Sequence, residues 1–394
     1  MPRVLFYRNE LLPLSETFIA AQASALTRYE PWFAGMKRVP GGIALDEARV
    51  IVATEEKTLR GKIARSVYLQ TGFAPGFLRR IEAAEPELIH AHFATDACAA
   101  LAIQRQVRVP MLVTLHGYDV TNDDAALRKS AVGRAYLKYK EVLWSRASVF
   151  VCVSEFIRRQ ALERGFPEEK LWAHPIGIDT KFFCPDAERV KEPLVLFVGR
   201  LVEKKGVPHL LRAMRWVESQ LPEARLVVLG DGPLRVALES EARKTLRRCE
   251  FPGAASAETV RAWLRRAAVV AAPSVVAANG DAEGFCLVAC EAQAMGVPVV
   301  SFDGPGLSES VANGETGLLV AQRDEAALAE AIVTLLKNET LAARMGAAGR
   351  RRVERLFNVR RQSAVLEEKY DEVLGRRAKG QVAEQLELAE KGTW

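Results

Sequence analysis

Short runs rich in Val, Ile and Leu alternate with helix-length amphipathic stretches from one end of this chain to the other, and no other feature restricts its fold as much. Strands that recur singly between helices cannot be joined by tight hairpins, so they pair in parallel under helices on both faces of a sheet. The strand candidates form two series: residues 4–7, 50–53, 88–90, 111–115 and 148–153, then 194–198, 225–229, 269–272, 297–301 and 317–320. Between the series, residues 175–185 are punctuated by Pro175, Gly177 and Pro185 and read as a linker. A chain of 394 residues is too long for one ordinary core. Two α/β domains are therefore predicted, residues 1–184 and 185–358, each a doubly wound parallel sheet. Beyond Asn358 come two charged helical patterns, 359–377 and 381–390, with no strand after them. Helices within 359–394 are expected to pack back across the first domain.

Several function classes drop out. The longest apolar candidate, 267–278, is broken by Pro273 and Ser274, so no segment is predicted to span a bilayer. The apolar start Val4-Leu5-Phe6-Tyr7 is too short for a signal peptide, and the expected location is the cytoplasm. Six cysteines are scattered and read as reduced and buried. Cys286 and Cys290 lie one helical turn apart without a histidine, and His90, His92 and Asp96 lack a further ligand, so no metal is expected. Basic groups cluster in the first half: Lys57, Arg60, Lys62 and Arg65, then Arg128, Lys129, Arg134, Lys138, Lys140 and Arg146. With Tyr68, Tyr136, Tyr139 and Trp144 among them, they form either solvated helix faces or a surface for anionic lipid headgroups, a peripheral membrane site. No nucleic-acid module accompanies the charge, and nucleic acid is not an expected partner.

In open parallel sheets ligands bind beyond the carboxyl ends of the strands. There, Gly199-Arg200-Leu201-Val202-Glu203-Lys204-Lys205-Gly206 puts cations at 200 and 205 beside a glycine turn that leads into a helix, a combination suited to a pyrophosphate. Glu283-Gly284-Phe285-Cys286-Leu287-Val288-Ala289-Cys290-Glu291 follows the 269–272 strand. Glu283 is predicted just ahead of a helix whose first free amides include those of Gly284 and Phe285, a setting that favours a phosphate. Glu291, eight residues on, would sit about 12 Å away along such a helix. That is too far for an acid/base pair but suits opposite ends of one elongated ligand. Glu291 lies in an otherwise apolar stretch, and an acid there needs a hydrogen-bonding purpose.

These residues resemble the glutamate, seven residues, glutamate motif of retaining glycosyltransferases of the GT-B fold, in particular family GT4 (group 1). Gly296-Val297-Pro298-Val299-Val300, Ser308-Glu309 and Asn313-Gly314-Glu315-Thr316-Gly317 are similar to the same pattern. The resemblance implies two Rossmann-like domains facing across a cleft and metal-independent transfer of a hexose from a UDP or GDP sugar, with no cofactor. It gives Arg200 and Lys205 to the donor pyrophosphate, Glu291 to the ribose, and Glu283 to the transferred sugar. Gly199, Gly284, Phe285, Cys286 and Leu287 would line the donor, and its base would lie near Phe251. His116-Gly117-Tyr118-Asp119 is similar to the family's His-Gly motif, placing His116 near the reacting carbon and Asp119 on the acceptor side. His92 is expected to face the acceptor cleft.

Ser15-Glu16-Thr17-Phe18-Ile19, with Ser15 or Glu16 as a helix cap on the acceptor side, resembles a subgroup that builds bacterial exopolysaccharides of the colanic-acid type. That resemblance implies a lipid-linked oligosaccharide acceptor. A nucleotide-sugar epimerase of the same fold, a transferase acting on a small natural product, and a silent carbohydrate-binding protein remain as alternatives.

Overall fold

The computed structural model describes residues 1–54, 59–185 and 192–376. Lys57 and the expected 381–390 helix lie outside them. Strands β1 (Arg3–Tyr7), β2 (Glu30–Gly35), β3 (Val50–Val52), β4 (Leu88–His92), β5 (Met111–Leu115), β6 (Val149–Cys152) and β7 (Leu171–Ala173) form one sheet in the order β3-β2-β1-β4-β5-β6-β7. A second sheet orders β8 (Leu194–Val198), β9 (Arg225–Leu229), β10 (Cys249–Gly253), β11 (Val269–Ala272), β12 (Val299–Phe302) and β13 (Gly317–Val320) as β10-β9-β8-β11-β12-β13. Every pairing within these two sheets is parallel. Their inner strands are buried on both faces, which is why they read as unbroken apolar runs.

Three strands escape the apolar-run criterion, for local reasons. Strand β2 carries Pro31, tolerated because that residue pairs with β1 before the pairing with β3 begins at Phe33. Strand β10 carries Pro252 on the sheet edge, where the register to β9 shifts. Strand β7 is three residues long and also forms an edge.

The stretch 175–185 is held against the far end of the chain. The amide of Ile178 donates to the Phe357 carbonyl (2.6 Å) and the amide of Val359 returns to the Ile178 carbonyl (2.9 Å). Beyond this crossing, helix Val359–Val373 lies on the first sheet's side of the molecule. Its Glu367 accepts from the amides of Thr27 (2.7 Å) and Arg28 (2.6 Å), and Asp371 accepts from the Tyr29 hydroxyl (2.6 Å). Tyr370, fully buried, reaches the His90 ring at 2.6 Å.

The two halves touch directly at the carboxyl ends of their strands. Glu309 accepts from the first two amides of helix Glu155–Glu163, those of Glu155 and Phe156, both at 2.8 Å. A carboxylate at a helix N-terminus satisfies otherwise orphaned donors and complements the dipole. The Ser154 hydroxyl, which accepts from the Ile157 amide, donates to the Gly284 carbonyl at 2.7 Å. Thr121 meets Asp281 at 3.3 Å, and the Asp123 amide donates to the Asn279 carbonyl at 3.2 Å.

Candidate active site

Lys205 ends a 3-10 turn, Glu203–Lys205, and Gly206 follows in the left-handed region (φ 65°) to open helix Val207–Gln220. A Cβ on Gly206 would stand 1.8 Å from the Pro273 carbonyl oxygen, so only glycine lets this turn lie against the end of β11. That contact carries Lys205 to Glu283, Nζ to Oε2 at 2.5 Å, with both side chains largely buried. The Ser274 hydroxyl reaches the same carboxylate at 3.3 Å. Burial alone would raise the Glu283 carboxyl, but Lys205, then Lys204 and the Ser274 hydrogen bond, outweigh it and hold the group below its ordinary range. Burial lowers Lys205 and Glu283 restores it, with a net rise, so the pair is ionised. Lys204, which the sequence did not single out, pairs with Asp281 at 2.9 Å. A Cβ on Gly199 would lie 3.3 Å from the Phe197 ring and at ordinary contact distance, 3.6 Å, from Lys205 Cε. Arg200 is exposed and makes no ion pair among the described residues.

The helix expected from Gly284 begins later, at Leu287, and runs to Ala294. The Ser310 hydroxyl takes the Cys286 amide (3.1 Å) and the Phe285 carbonyl takes that of Leu287 (3.1 Å), which holds residues 284–286 in an open turn. The amides of Gly284 and Phe285 are consequently free loop donors, with no partner among the described residues, rather than first-turn helix amides. Phe285 packs its ring 5.2 Å from that of Phe357, and Cys286 is buried, its thiol pushed up to about 12 by burial. Because the helix starts only at Leu287, Glu283 and Glu291 do not lie on one continuous helix. Lys205 acts electrostatically on both acids. Burial pushes the partly buried Glu291 carboxyl up to about 7, with Lys205 opposing. Because the folded value is raised, this group favours folding most at low pH and that contribution fades as pH climbs toward 7. On the β9–β10 side, Phe251 is half-buried and its carbonyl accepts from Arg235 at 3.0 Å.

Across the cleft, His116 directly follows β5 and is partly exposed, although its Nδ1 is buried without a partner among the described residues; Gly117 faces the Gly284 amide, and a Cβ on Gly284 would come 2.1 Å from the His116 carbonyl oxygen. Asp119 does not face an acceptor. It is 1% exposed, and its carboxylate accepts from the amides of Ala94 (3.0 Å), His116 (3.2 Å) and Gly117 (2.9 Å), so it shapes the His-Gly turn. His92 is likewise 1% exposed and reaches the cleft only through His116, its Nδ1 being 3.0 Å from His116 Nε2. Neither Ser15 nor Glu16 caps a helix by its side chain. Ser15 is exposed in a 3-10 turn, and Glu16 is buried in an ion pair with Arg8 (2.5 Å), which also pairs with Asp96. On the basic face Tyr68 and Tyr136 point into the core rather than outward. Among the described residues, no group of three or more His, Cys, Asp or Glu is placed to hold a metal ion.

A family model described as Glycosyl transferases group 1 matches residues 180–352, and one described as Glycosyltransferase Family 4 matches 38–182. The chain belongs to the group 1 glycosyltransferases of family GT4. This group 1 chain is 30% identical over 260 residues to the putative colanic acid biosynthesis glycosyltransferase WcaL of Escherichia coli, covering 64% of the chain and 61% of that relative. It is 31% identical over 253 residues to the GDP-mannose-dependent α-(1-6)-phosphatidylinositol monomannoside mannosyltransferase of Mycolicibacterium smegmatis, covering 61% of the chain and 64% of the relative. Each alignment thus spans less than two thirds of the relative's length. Among solved structures, sucrose-phosphate synthase from Thermosynechococcus elongatus superposes with a TM-score of 0.76 at 23% identity, covering 95% of the chain and all of that structure. HepE from Anabaena, in complex with UDP and glucose, gives 0.74 at 17% identity, covering 94% of the chain and all of HepE. The group 1 chain therefore has the GT-B fold.

Proposed function

We propose that this chain moves a hexose from a nucleoside diphosphate sugar to a hydroxyl of a lipid-linked oligosaccharide in bacterial envelope polysaccharide assembly, with retention at the anomeric carbon. The observation that carries it is the buried Lys205–Glu283 pair beside the unmet amides of Gly284 and Phe285, where the two halves meet. A diphosphate leaving group accumulates negative charge as the glycosidic bond breaks, and preorganised donors and a cation in a water-poor cleft stabilise that charge. Lys205, those two amides, and Arg200 reaching in from its exposed position supply it, without a resident metal or cofactor. The acceptor hydroxyl attacks from the face the diphosphate leaves; its oxygen bonds the anomeric carbon, the bond to the diphosphate oxygen breaks, and the departing phosphate takes the proton. Glu283, paired and ionised, binds sugar hydroxyls and does not serve as an acid.

The WcaL relative and the amylovoran biosynthesis glycosyltransferase AmsK of Erwinia amylovora, 27% identical over 280 residues, favour an exopolysaccharide acceptor. The α-mannosyltransferase relative makes GDP-mannose a donor to test beside UDP-glucose. Leu59, Ile63 and Val67 form an exposed apolar stripe along helix Leu59–Thr71, with Phe73 beyond it, and this surface supports a peripheral position on a membrane carrying the acceptor. No helix among the described residues is long and apolar enough to cross a membrane.

A thermal-shift panel of uridine, guanosine and adenosine diphosphates and their sugars tests the donor. A ligand that binds only the folded chain raises its melting temperature, and one base is expected to stand out. No shift with any of them contradicts the proposal. Glu291 adds a pH signature. With its carboxyl at about 7, the ionised form that can accept from ribose hydroxyls rises about tenfold between pH 6 and pH 8. Affinity for the nucleoside diphosphate should climb in parallel, and Glu291→Gln should flatten the climb. A calorimetric titration series showing the same slope in both proteins would remove Glu291 from the ribose.

A further inference from the structure

Lys204 and Lys205 each face an acid, but the two acids are held differently. Asp281 Oδ1 takes Lys204 at 2.9 Å and meets the Thr121 hydroxyl at 3.3 Å, a contact that reaches across the cleft. Glu283 uses a single oxygen, Oε2, for both Lys205 (2.5 Å) and the Ser274 hydroxyl (3.3 Å). Its Oε1 has no hydrogen-bond partner among the described residues and is not sealed from solvent, so a carboxylate oxygen stands open next to the free amides of Gly284 and Phe285. Burial would raise the carboxyl, but Lys205 and Lys204 outweigh it, and the open oxygen therefore carries negative charge. Of the cations at 200, 204 and 205, only Arg200 makes no ion pair among the described residues. An incoming anion thus meets lysines that are already neutralised and a carboxylate that faces it.

The two nucleotides that such a site meets differ in charge at one end. A diphosphate esterified to a sugar has no second ionisation on its outer phosphate. Once the sugar is gone, that phosphate ionises again with a pKa of about 6, so the spent nucleotide is more negative by roughly one charge near pH 7. The added charge falls on the end that carried the sugar, which is the end Glu283 faces. With a sugar in place, its hydroxyls donate to the open carboxylate oxygen and keep the phosphate away from it. Without one, two like charges meet in a water-poor cleft with no donor between them, an arrangement that rejects a ligand as effectively as a clash. We propose that Glu283 discriminates by charge against the spent nucleoside diphosphate, competing with it for Lys205 and repelling its outer phosphate, while the hydroxyls of an attached sugar relieve the repulsion. This deepens the transferase reading and rests on the diphosphate lying at Lys205 with the sugar toward Glu283. Release of the product is then driven by the residue that held the sugar.

Calorimetric titrations of the full chain with UDP, UDP-glucose, GDP and GDP-mannose test this. For the base that binds, the parent should hold the sugar nucleotide about tenfold or more tighter than the bare diphosphate. Glu283→Gln keeps the size of the side chain and an acceptor for sugar hydroxyls but removes the charge. In it, affinity for the bare diphosphate should rise about tenfold or more while that for the sugar nucleotide moves within about threefold, so the preference disappears. A folded variant that keeps the parent's preference overturns the inference. Should the variant fail to fold, the parent decides: a bare diphosphate held as tightly as its sugar nucleotide overturns the inference. The layers separate in the same titrations. No binding of any of the four ligands to the parent overturns the donor-site reading on which the inference rests, whereas binding of both members of a pair with an unchanged ratio in Glu283→Gln overturns the inference alone.

Discussion

Replacing Lys205 by methionine is expected to lower sugar transfer by about a hundredfold or more, the usual cost of removing one preorganised charge from a developing oxyanion. The fall should appear in kcat rather than only in KM, because the charge it stabilises grows as the bond breaks. The same change strips a buried carboxylate of its partner at 2.5 Å, so stability should suffer too, by roughly 3–5 kcal/mol. A double variant separates the effects. Lys205→Met with Glu283→Gln removes both charges and should melt closer to the parent than Lys205→Met alone, while remaining as inactive. Recovery of turnover alongside recovery of stability would show that the pair is a structural brace.

Gly284→Ala is expected to lower transfer by about a hundredfold or more, and to lower the melting temperature as well, because the contacts between the halves, such as Ser154 to the Gly284 carbonyl, must loosen. Gly284 is not in the left-handed region, so alanine costs nothing locally. The three atoms nearest its Cβ all lie across the cleft, the His116 carbonyl oxygen at 2.1 Å, its carbon at 3.0 Å and Ile157 Cδ1 at 3.2 Å. The first two are backbone and cannot swing aside, so the halves must part. Nucleoside diphosphate binding, which on the proposed reading draws mainly on the second sheet's loops, should survive. Kinetics and calorimetry on one preparation check this, and a variant that transfers normally shows that the contact between His116 and Gly284 is dispensable.

The two sheets were legible because parallel strands buried on both faces must be continuous apolar runs, and most bounds fell within two residues of the observed ones. Strands β2 and β10 were not, since Pro31 and Pro252 break that pattern at positions where pairing forgives them. In the candidate site, residue types were readable but their partnerships were not. Lys205 and Glu283 meet across 78 residues because Gly206 permits a close approach to Pro273, a contact with no local trace. The helix start was misplaced because Glu283 to Met295 is one nearly unbroken apolar run; the Ser310 hydroxyl, 24 residues away, takes the Cys286 amide and keeps the turn open. Strand alternation puts His90 and His92 on one face, and their rings stack 4.5 Å apart there. That this face is closed depends on Tyr370, 280 residues from His90, and on Phe6, whose ring stacks at 5.7 Å from His92.

The central claim is that a diphosphate sits between Lys205 and the free amides of Gly284 and Phe285. A crystal soaked with the nucleoside diphosphate that most raises the melting temperature tests it most directly. The expected density places phosphate oxygens within hydrogen-bond distance of both amides and of Lys205 Nζ, with the Arg200 guanidinium drawn in from solvent. Phosphates bound elsewhere, with Lys205 still facing Glu283 alone and both amides unmet, contradict it.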